Sequence, residues 1–466
     1  MDPSTHITLG QQVLIKLPSN NSKICELKAN EVINLGKFGA FKVNDIIGYQ
    51  LGTTFEIYYE DKDTEEQDPN LISSKDKVVT DAKPKNNHKR ERKDKFPKKP
   101  AGKVRIIKSS TFKSSLPPST DEILPNTNSS KNNEQLIDIG SEAQKLSMKD
   151  IEELKKQSMS GEAIIAKMVS SHENFHKKTI YSQEKYLKRK KQKFEKFFKV
   201  EYLNPGNLLQ YLLDKGDILR VLDISWESLE ILLNLANIQP TGKYLVCDET
   251  GGLIVYAIME RMFKGLNTNG NGDDIAGEIV LVHENEHPNL DLLKYSNFSA
   301  EFIEKHVKTL SMLDYLEPPT KLEVESLFVA LTEEQISNLK PAKKGAYYRS
   351  LKFYERSLEN IKLSQSKYDG LIVASTLHLP SLIPRLSANV HGSRPIVCYS
   401  QFKEVLLELS HLLYDDTNYL APSLLETRCR PYQTIRGRLH PLMTMRGGGG
   451  YLLWCQKVLP ANFDHI

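Results

Sequence analysis

The stretch of residues 241–262, TGKYLVCDETGGLIVYAIMERM, determines what the second half of this chain can fold into. Its apolar run from Tyr244 to Cys247 predicts a buried strand, and the apolar residues from Leu253 to Met262 recur with a helical period. Between the two runs lie the acidic residues Asp248 and Glu249, followed by Thr250-Gly251-Gly252. Strand, glycine turn and helix form the opening unit of a doubly wound α/β fold, in which a cofactor lies at the carboxyl end of the strand.

The turn itself differs from a nucleotide-binding loop. Such loops carry spaced glycines so that backbone N–H groups can approach the ligand, whereas here one Gly-Gly pair is followed directly by Leu253 and Ile254. After the next predicted strand comes an acid, where nucleotide-binding folds hold ribose hydroxyls, although strand-end acids also occur in folds that bind nothing. We therefore predict a degenerate cofactor pocket at Asp248, Thr250, Gly251, Gly252 and Glu284.

Length and composition exclude several classes of protein. A chain of 466 residues is expected to form two or three domains. It contains no run of 18 apolar residues, so we expect no membrane span, and its start lacks the apolar core of a secretion signal. The cysteines are far apart, with no C-x-x-C pair, which predicts buried thiols in a reducing compartment and no metal site: Cys25, Cys247, Cys398, Cys429 and Cys455.

The first sixty residues have the pattern of short β-strands. Five β-rich runs separated by Asn, Gly and Pro occupy residues 7–59: VLIKLPS, ICELKA, EVINLG, AFKVNDIIG and TTFEIYYE. A small antiparallel barrel or sandwich is the expected closure. Such a module serves either oligomerisation or RNA binding, and the sequence does not separate these two functions.

A polar segment interrupts this domain. Residues 61–133 are rich in Lys, Asp, Asn, Ser and Pro, and we predict a disordered insertion. The part from Lys83 to Lys108 contains twelve Lys or Arg against two acids. This run is typical of a nuclear import signal, a nucleic-acid-binding arm or a solvated tail, and we expect a nuclear protein. If the run Gln135–Ile139 completes the barrel, the insertion lies within one domain.

Helices are predicted next. Ser147–Lys156 begins with Ser147 and Asp150 in a capping-box spacing, and Gly161–Ser170 follows. Lys177–Lys199 then contains ten basic residues and two acids. Its apolar residues Leu187, Phe194 and Phe198 predict one docked face. Three interpretations fit these cations: a solvated helix face, a helix on a membrane surface, or a surface that binds a polyanion. The mutual repulsion of ten like charges favours polyanion binding.

From residue 201 the pattern alternates between strands and helices, which predicts a second domain over residues 201–466. Its later part closes with two β runs around a Gly447–Gly450 turn, the layout of a class I methyltransferase domain. The other predicted elements are strand Ile218–Asp223, helix Trp226–Ala236, strand Gly277–His283, a helical stretch to Lys367, strand Gly370–Ala374, helix Pro380–Leu386, strand Pro395–Tyr399 and helix Phe402–Leu413.

Four segments carry a resemblance to a known family: Leu35–Gly48, Lys177–Lys190, Tyr368–Pro384 and Gly437–Val458. In these segments the chain resembles the non-catalytic subunit of the eukaryotic tRNA adenine N(1)-methyltransferase that acts at position 58 of tRNA. The resemblance implies an α/β plus β architecture, with a β-barrel domain and helical extension (residues 1–200) and a Rossmann-like domain. It also implies tRNA binding and a homologous catalytic subunit, two copies of each, with S-adenosylmethionine on that partner.

The chain departs from the catalytic members of such families at the end of the fourth strand. Those members carry an Asp there, whereas this sequence has Ala374 without a gap, or His378 if LHLP is matched. Losing a catalytic acid or base normally costs orders of magnitude in rate. We therefore predict a chain that is not an enzyme and holds no cofactor or metal. His378 as a replacement base is the alternative, although a lone His is more often structural.

The predicted RNA contacts are cations of the basic helix and arginines near the C-terminal β runs. Distributed cations suit structured RNA, which is recognised through phosphates and 2′-hydroxyls. They are Lys177, Lys178, Lys185, Lys188, Arg189, Lys190, Lys191, Lys193, Arg428, Arg430, Arg436, Arg438 and Arg446. The arginines could instead make intrachain or subunit contacts, and for Arg436 and Arg438, which flank Gly437, the two interpretations are equally good.

Two aromatic residues and two further functions complete the predictions. Tyr432 and His440 could stack on bases, but we expect buried packing for both.

Two alternatives to a tRNA-binding, non-catalytic subunit stay open: a self-sufficient S-adenosylmethionine-dependent RNA methyltransferase with an atypical loop, and a structural partner that does not touch RNA.

Overall fold

The computed structural model describes residues 2–19, 21–59, 101–107, 144–156, 161–175, 178, 180–264, 276–435 and 438–459. The chain divides into two compact units, residues 1–202 and 203–466. Across the described ranges, no helix is both long and apolar enough to cross a bilayer.

The first unit is built on a five-stranded antiparallel sheet in the order β2-β1-β7-β5-β6, with β3 and β4 paired as a separate hairpin. Closure of these strands into a barrel stays a prediction. The strands are β1 (Gln12–Lys16), β2 (Ser22–Glu26), β3 (Val32–Asn34), β4 (Ala40–Lys42), β5 (Thr54–Tyr58), β6 (Lys103–Ile106) and β7 (Phe197–Tyr202).

Two of these strands correct the sequence predictions. Strand β6 lies within the 61–133 segment that was predicted to be wholly disordered, and it pairs with β5. Strand β7 begins inside the predicted helix Lys177–Lys199, because FFKVEY alternates with a period of two and buries Phe198 and Val200 in the sheet core. The ring of Phe198 stacks on Phe41 and on Phe55, with centroid separations of 4.4 and 5.5 Å. Residues 135–139, predicted to complete the sheet, lie outside the described residues.

Three helices of the first unit enclose a small apolar cluster. They are α1 (Met148–Lys156), α2 (Gly161–Ser170) and α3 (Ile180–Phe194). The predicted cap of α1 is confirmed: the Asp150 N–H donates to the Ser147 hydroxyl at 3.2 Å, and the Ser147 N–H donates to the Asp150 carboxylate at 2.9 Å. The buried side chains of the cluster are Ile151, Leu154, Ile164, Ile165, Met168 and Phe194.

The second unit contains a seven-stranded mixed sheet in the order β10-β9-β8-β11-β12-β16-β13. The strands from β10 to β12 are parallel, and β16 is antiparallel to both its neighbours. This is the Rossmann-like order expected of a doubly wound sheet with an antiparallel end. Two further strands of this unit, β14 (Tyr432–Ile435) and β15 (Arg438–Pro441), form a separate two-stranded sheet. The strands of the seven-stranded sheet are β8 (Lys243–Asp248), β9 (Glu278–His283), β10 (Val307–Ser311), β11 (Gly370–Ala374), β12 (Arg394–Ser400), β13 (Tyr419–Glu426) and β16 (Tyr451–Lys457).

Helices connect these strands, and four of them lie within two residues of the predicted helices Trp226–Ala236, Leu253–Met262, Pro380–Leu386 and Phe402–Leu413. The central strands are buried on both faces, as in β11, where all five residues are buried. The helices are α4 (Pro205–Lys215), α5 (Trp226–Leu235), α6 (Leu253–Phe263), α7 (Ala300–His306), α8 (Met312–Leu316), α9 (Lys321–Ser326), α10 (Glu333–Ser337), α11 (Pro341–Ser364), α12 (Leu379–Leu386) and α13 (Lys403–Asp415).

Two predictions for this unit are wrong. The expected strand Ile218–Asp223 is a 3-10 turn at Leu219–Val221, because Leu222 and Asp223 adopt φ angles of 48° and 53°, which an extended strand excludes. The expected hairpin around Gly447–Gly450 does not form either. Strand β16 pairs with β12 and with the unpredicted β13, whereas β14 and β15 pair with each other.

Candidate functional site

The carboxyl end of β8 is where a cofactor would lie, and the carboxylate of Asp248 is already fully hydrogen-bonded there. Its Oδ1 accepts the N–H of Thr250 at 2.7 Å and the Thr250 hydroxyl at 2.5 Å. Its Oδ2 accepts the N–H groups of Ile254 and Val255, at 3.1 and 3.2 Å. Burial raises the pKa of Asp248, and these hydrogen bonds act in the opposite direction. The first N–H groups of α6, which bind anions in nucleotide sites, are thus satisfied by the chain's own side chain.

Glu249 connects the ends of two neighbouring strands. Its backbone N–H donates to the Ala374 carbonyl at 2.9 Å. Its carboxylate accepts the N–H and the hydroxyl of Thr376, at 2.9 and 2.7 Å, and the hydroxyl of Ser375. The gap between the ends of β8 and β11 is therefore bridged by side chains of this chain.

The Gly251-Gly252 turn is covered by the segment that follows β9. The N–H of Leu292 donates to the Gly251 carbonyl at 3.0 Å, and the Leu292 side chain is fully buried. Gly252 has a φ of +89°, and a Cβ atom there would lie 3.1 Å from the Cα of Leu290. The glycines of this turn therefore allow a close approach by the chain itself. Sequence reasoning missed Leu290 and Leu292, because nothing in the local pattern shows what an apolar run packs against.

The remaining candidates for chemistry lie apart from one another. Ala374 ends β11 in register with Asp248, so the fourth strand carries no terminal carboxylate. His378 is 63% exposed at the start of α12, with its Nδ1 3.0 Å from the Ser381 hydroxyl and its Nε2 3.6 Å from Glu408. Glu284 lies directly after β9, the position predicted for it, and is exposed. The described residues contain no group of three side chains that could hold a metal ion.

Helix α3 presents most of its cations away from its packed face. Leu187 packs on the apolar cluster and Phe194 belongs to it. Lys190 is half-buried, and burial together with Lys193 lowers its pKa. The exposed cations are Lys185, Lys188, Arg189 and Lys193.

The remaining predicted RNA contacts of the basic segment, Lys177, Lys178 and Lys191, differ in their location. Lys191 is half-buried on α3. Lys178 precedes the helix, with its Nζ 3.2 Å from Nε2 of His172. Lys177 lies outside the described residues.

The C-terminal arginines differ in their surroundings. Arg446 contacts the Asp223 carboxylate and donates to the Asp223 carbonyl at 3.2 Å, so it makes the intrachain pair that was one of its two interpretations. Arg428 and Arg430 are exposed. Arg438 lies in β15, and Arg436 lies outside the described residues.

The aromatic candidates lie on the β14–β15 hairpin. Tyr432 is 52% exposed, so its predicted burial is wrong, because β14 and β15 form a two-stranded sheet of their own. His440 is half-buried, with its Nδ1 2.7 Å from the Pro441 carbonyl.

Comparison with known proteins decides the family. Residues 6–340 match the model of the Gcd10p family. The chain belongs to this family. It is 56% identical over 462 residues to the tRNA (adenine(58)-N(1))-methyltransferase non-catalytic subunit TRM6 of Kluyveromyces lactis, covering 99% of this chain and 89% of that protein. It is also 56% identical over 476 residues to the protein of the same name from Candida glabrata, covering 100% and 96%.

These relatives confirm the predicted family and its non-catalytic character. Among solved structures, the chain is similar to a SAM-dependent O-methyltransferase from Thermotoga maritima, with 8% identity, a TM-score of 0.44 and coverage of 99% and 98%. The Rossmann-like character of the second unit follows from its strand order, β10-β9-β8-β11-β12-β16-β13.

Proposed function

We propose that this member of the Gcd10p family is the tRNA-binding, non-catalytic subunit of a tRNA adenine-N(1)-methyltransferase that acts at position 58. It would assemble with a homologous catalytic subunit, two copies of each, and S-adenosylmethionine would bind that partner. The names of the relatives and the turn covered by Leu290 and Leu292 support this proposal.

The observation that carries tRNA binding is the cationic side of α3. Lys185, Arg189 and Lys193 follow one another at intervals of four residues, and Lys188 lies beside them. No ion pair joins Lys188, Arg189 or Lys193 to another described residue. Like charges four residues apart destabilise a helix, and phosphates that displace counterions would remove that repulsion.

Binding of a labelled tRNA transcript, measured at several salt concentrations, tests this role. The variant Lys188→Glu/Arg189→Glu/Lys193→Glu should bind more weakly, and its log–log salt slope should fall by about 2 to 3, because each lost phosphate contact removes about one unit. A matched variant with the same charge change on exposed, scattered lysines of the second unit is the control: Lys215→Glu/Lys294→Glu/Lys403→Glu. Equal affinities and slopes for the two variants would favour the structural partner that does not touch RNA.

The expected lack of a cofactor has its own test. Labelled S-adenosylmethionine should show no saturable binding to the purified chain up to about 1 mM, the upper end of ordinary enzyme KM values. Micromolar binding would support the self-sufficient methyltransferase instead, and His378→Ala would then test the replacement base.

We further propose that the chain is nuclear. The support is the Lys83–Lys108 run, most of which lies outside the described residues. Deleting residues 83–99 leaves β6 in place and removes nine of the cations, and it should abolish nuclear accumulation of a fluorescent fusion. Unchanged accumulation would exclude this run as the import signal.

A further inference from the structure

Helix α11 is the longest helix of the described chain and is mostly exposed. Of its 24 residues, Leu363 and Ser364 are the buried ones. One side packs on the unit: the Phe328 ring lies 5.6 Å from Tyr347 and stacks on Tyr354 at 4.9 Å, and the Leu331 N–H donates to the Tyr347 hydroxyl at 3.2 Å. The half-buried stripe continues at intervals of three and four residues along the helix.

The opposite side of α11 combines cations with exposed rings. Arg349, Lys352 and Arg356 are exposed at intervals of three and four residues, so they form one row. Tyr348 and Phe353 flank this row and are 52% and 63% exposed. We call these five residues the basic–aromatic face of α11.

Charge on the helix is not balanced within this face. No salt bridge joins any of its three cations to another described residue, and the nearby carboxylate of Glu359 pairs with Lys308 at 3.3 Å. Glu355 is the remaining acid on this part of the helix. A row of like charges opposes helix formation unless an anion meets it.

The exposed rings narrow the choice of anion. An acidic protein surface would neutralise the cations, but it would match Tyr348 and Phe353 only where apolar or planar side chains lie between its carboxylates. Unpaired RNA bases stack on aromatic side chains, while Lys and Arg contact the phosphates between them. A basic row flanked by rings therefore has the chemistry of a single-stranded or looped RNA contact.

We propose that the basic–aromatic face of α11 is a second RNA-binding surface, located in the second unit, which contacts phosphates and unpaired bases of tRNA. This inference rests on the proposed function, because it takes tRNA as the bound RNA. It adds a surface that the cations of α3, in the first unit, do not include. Helix α11 also lies beyond residues 6–340, which match the family model.

Two variants of the full-length chain, assembled with its catalytic subunit, test this surface with a labelled tRNA transcript. Arg349→Glu/Lys352→Glu/Arg356→Glu should weaken binding and lower the salt slope by about 2 to 3. Tyr348→Ala/Phe353→Ala should weaken binding by about fivefold or more for each base that loses its stacking partner, and it should leave the salt slope unchanged. The scattered variant Lys215→Glu/Lys294→Glu/Lys403→Glu is the control for net charge.

The outcomes separate this inference from the proposed function. If both α11 variants bind tRNA like the control while the α3 variant binds weakly, the second surface does not exist but tRNA binding stands. If the α11 variants keep tRNA affinity but no longer co-elute with the catalytic subunit, the face binds protein and the inference is wrong. If the α3 and α11 variants all bind like the control, tRNA binding by this chain fails as well. Thermal unfolding of each variant shows whether it is folded.

Discussion

Leu290 packs directly over Gly252 at the turn between β8 and α6, where a Cβ atom would lie 3.1 Å from the Leu290 Cα, closer than ordinary van der Waals contact. In a cofactor-binding protein the glycines of this turn face the ligand. Here they face the segment after β9, so the same residue type serves intrachain packing. The turn should therefore influence the stability of the second unit and should be indifferent to any cofactor.

Substituting Gly252 by Ala tests this relationship. The new Cβ would lie 3.1 Å from Leu290 at a φ of +89°. We expect the free energy of unfolding to fall by about 1–3 kcal/mol, from overpacking and left-handed backbone strain. Chemical denaturation would measure it. Gly345→Ala is the matched control: that position lies inside α11 with open space around it, and Ala should raise stability by about 0.5–1 kcal/mol. A neutral Gly252→Ala would show that the turn can open.

Asp248→Asn should destabilise the same turn. An amide placed with its oxygen toward Thr250 would direct its NH₂ group at the N–H groups of Ile254 and Val255, which would lose their acceptor. Leaving buried donors unsatisfied costs about 1–3 kcal/mol. Glu284→Gln, on the exposed strand-end acid, should leave the unfolding midpoint unchanged. Equal midpoints for both variants would contradict the capping role of Asp248.

Glu201 should contribute a pH-dependent term to the stability of the first unit. Burial alone would raise its pKa, but Lys16 and Lys199, whose ammonium groups lie 2.6 and 2.8 Å from its carboxylate oxygens, bring the pKa below the ordinary value. A pKa lowered by folding stabilises the fold above the unfolded-state pKa of about 4.3, and this contribution is lost as pH falls through the folded-state pKa.

Denaturation of Glu201→Gln across pH would measure that contribution. At pH 7 the free energy of unfolding of the variant should be lower by about 0.5–1 kcal/mol. The effect is small because the ion pairs of Glu201 are partly exposed. The difference from the unsubstituted chain should shrink as the pH is lowered below about 4. A difference that is constant from pH 7 to pH 3 would show that the two lysines do not stabilise the ionised carboxylate.

The cysteines should divide sharply in reactivity. Burial raises the pKa of Cys247 and of Cys455 to about 12 and raises that of Cys398 well above its ordinary value, whereas Cys429 is exposed. Because the thiolate is the nucleophile, a thiol reagent at pH 8 should modify Cys429 rapidly and the three buried thiols only after unfolding. Cys429→Ser should remove the fast phase. Cys25 is half-buried and burial raises its pKa, so we expect it to react more slowly than Cys429. A fast phase that survives Cys429→Ser and also Cys25→Ser would show that a buried thiol is accessible.

The sequence by itself determined the elements whose signals are local. Apolar runs and helical periods located β8, β11, β12 and α6 within one or two residues, since a strand buried on both faces is continuously apolar wherever it lies in a sheet. The Ser147–Asp150 cap was predictable for the same reason, because both partners lie within four residues. The sequence alone also showed that position 374 carries no acid and that Gly251 and Gly252 are adjacent instead of spaced.

Only the tertiary structure decided how distant segments meet. Strand β6 takes its place in the sheet because β5 offers it an edge, although the sequence around it is polar. Strand β16 pairs with β12 and β13 instead of turning back at the Gly447–Gly450 segment, and Leu290 covers Gly252 across a separation of 38 positions in the printed sequence. The periodicity of apolar residues predicts which residues are buried. It does not predict which residues they pack against, because those lie in segments far away in the sequence. That Leu290 and Leu292 cover the Gly251-Gly252 turn therefore depended on long-range packing, which no local sequence pattern shows.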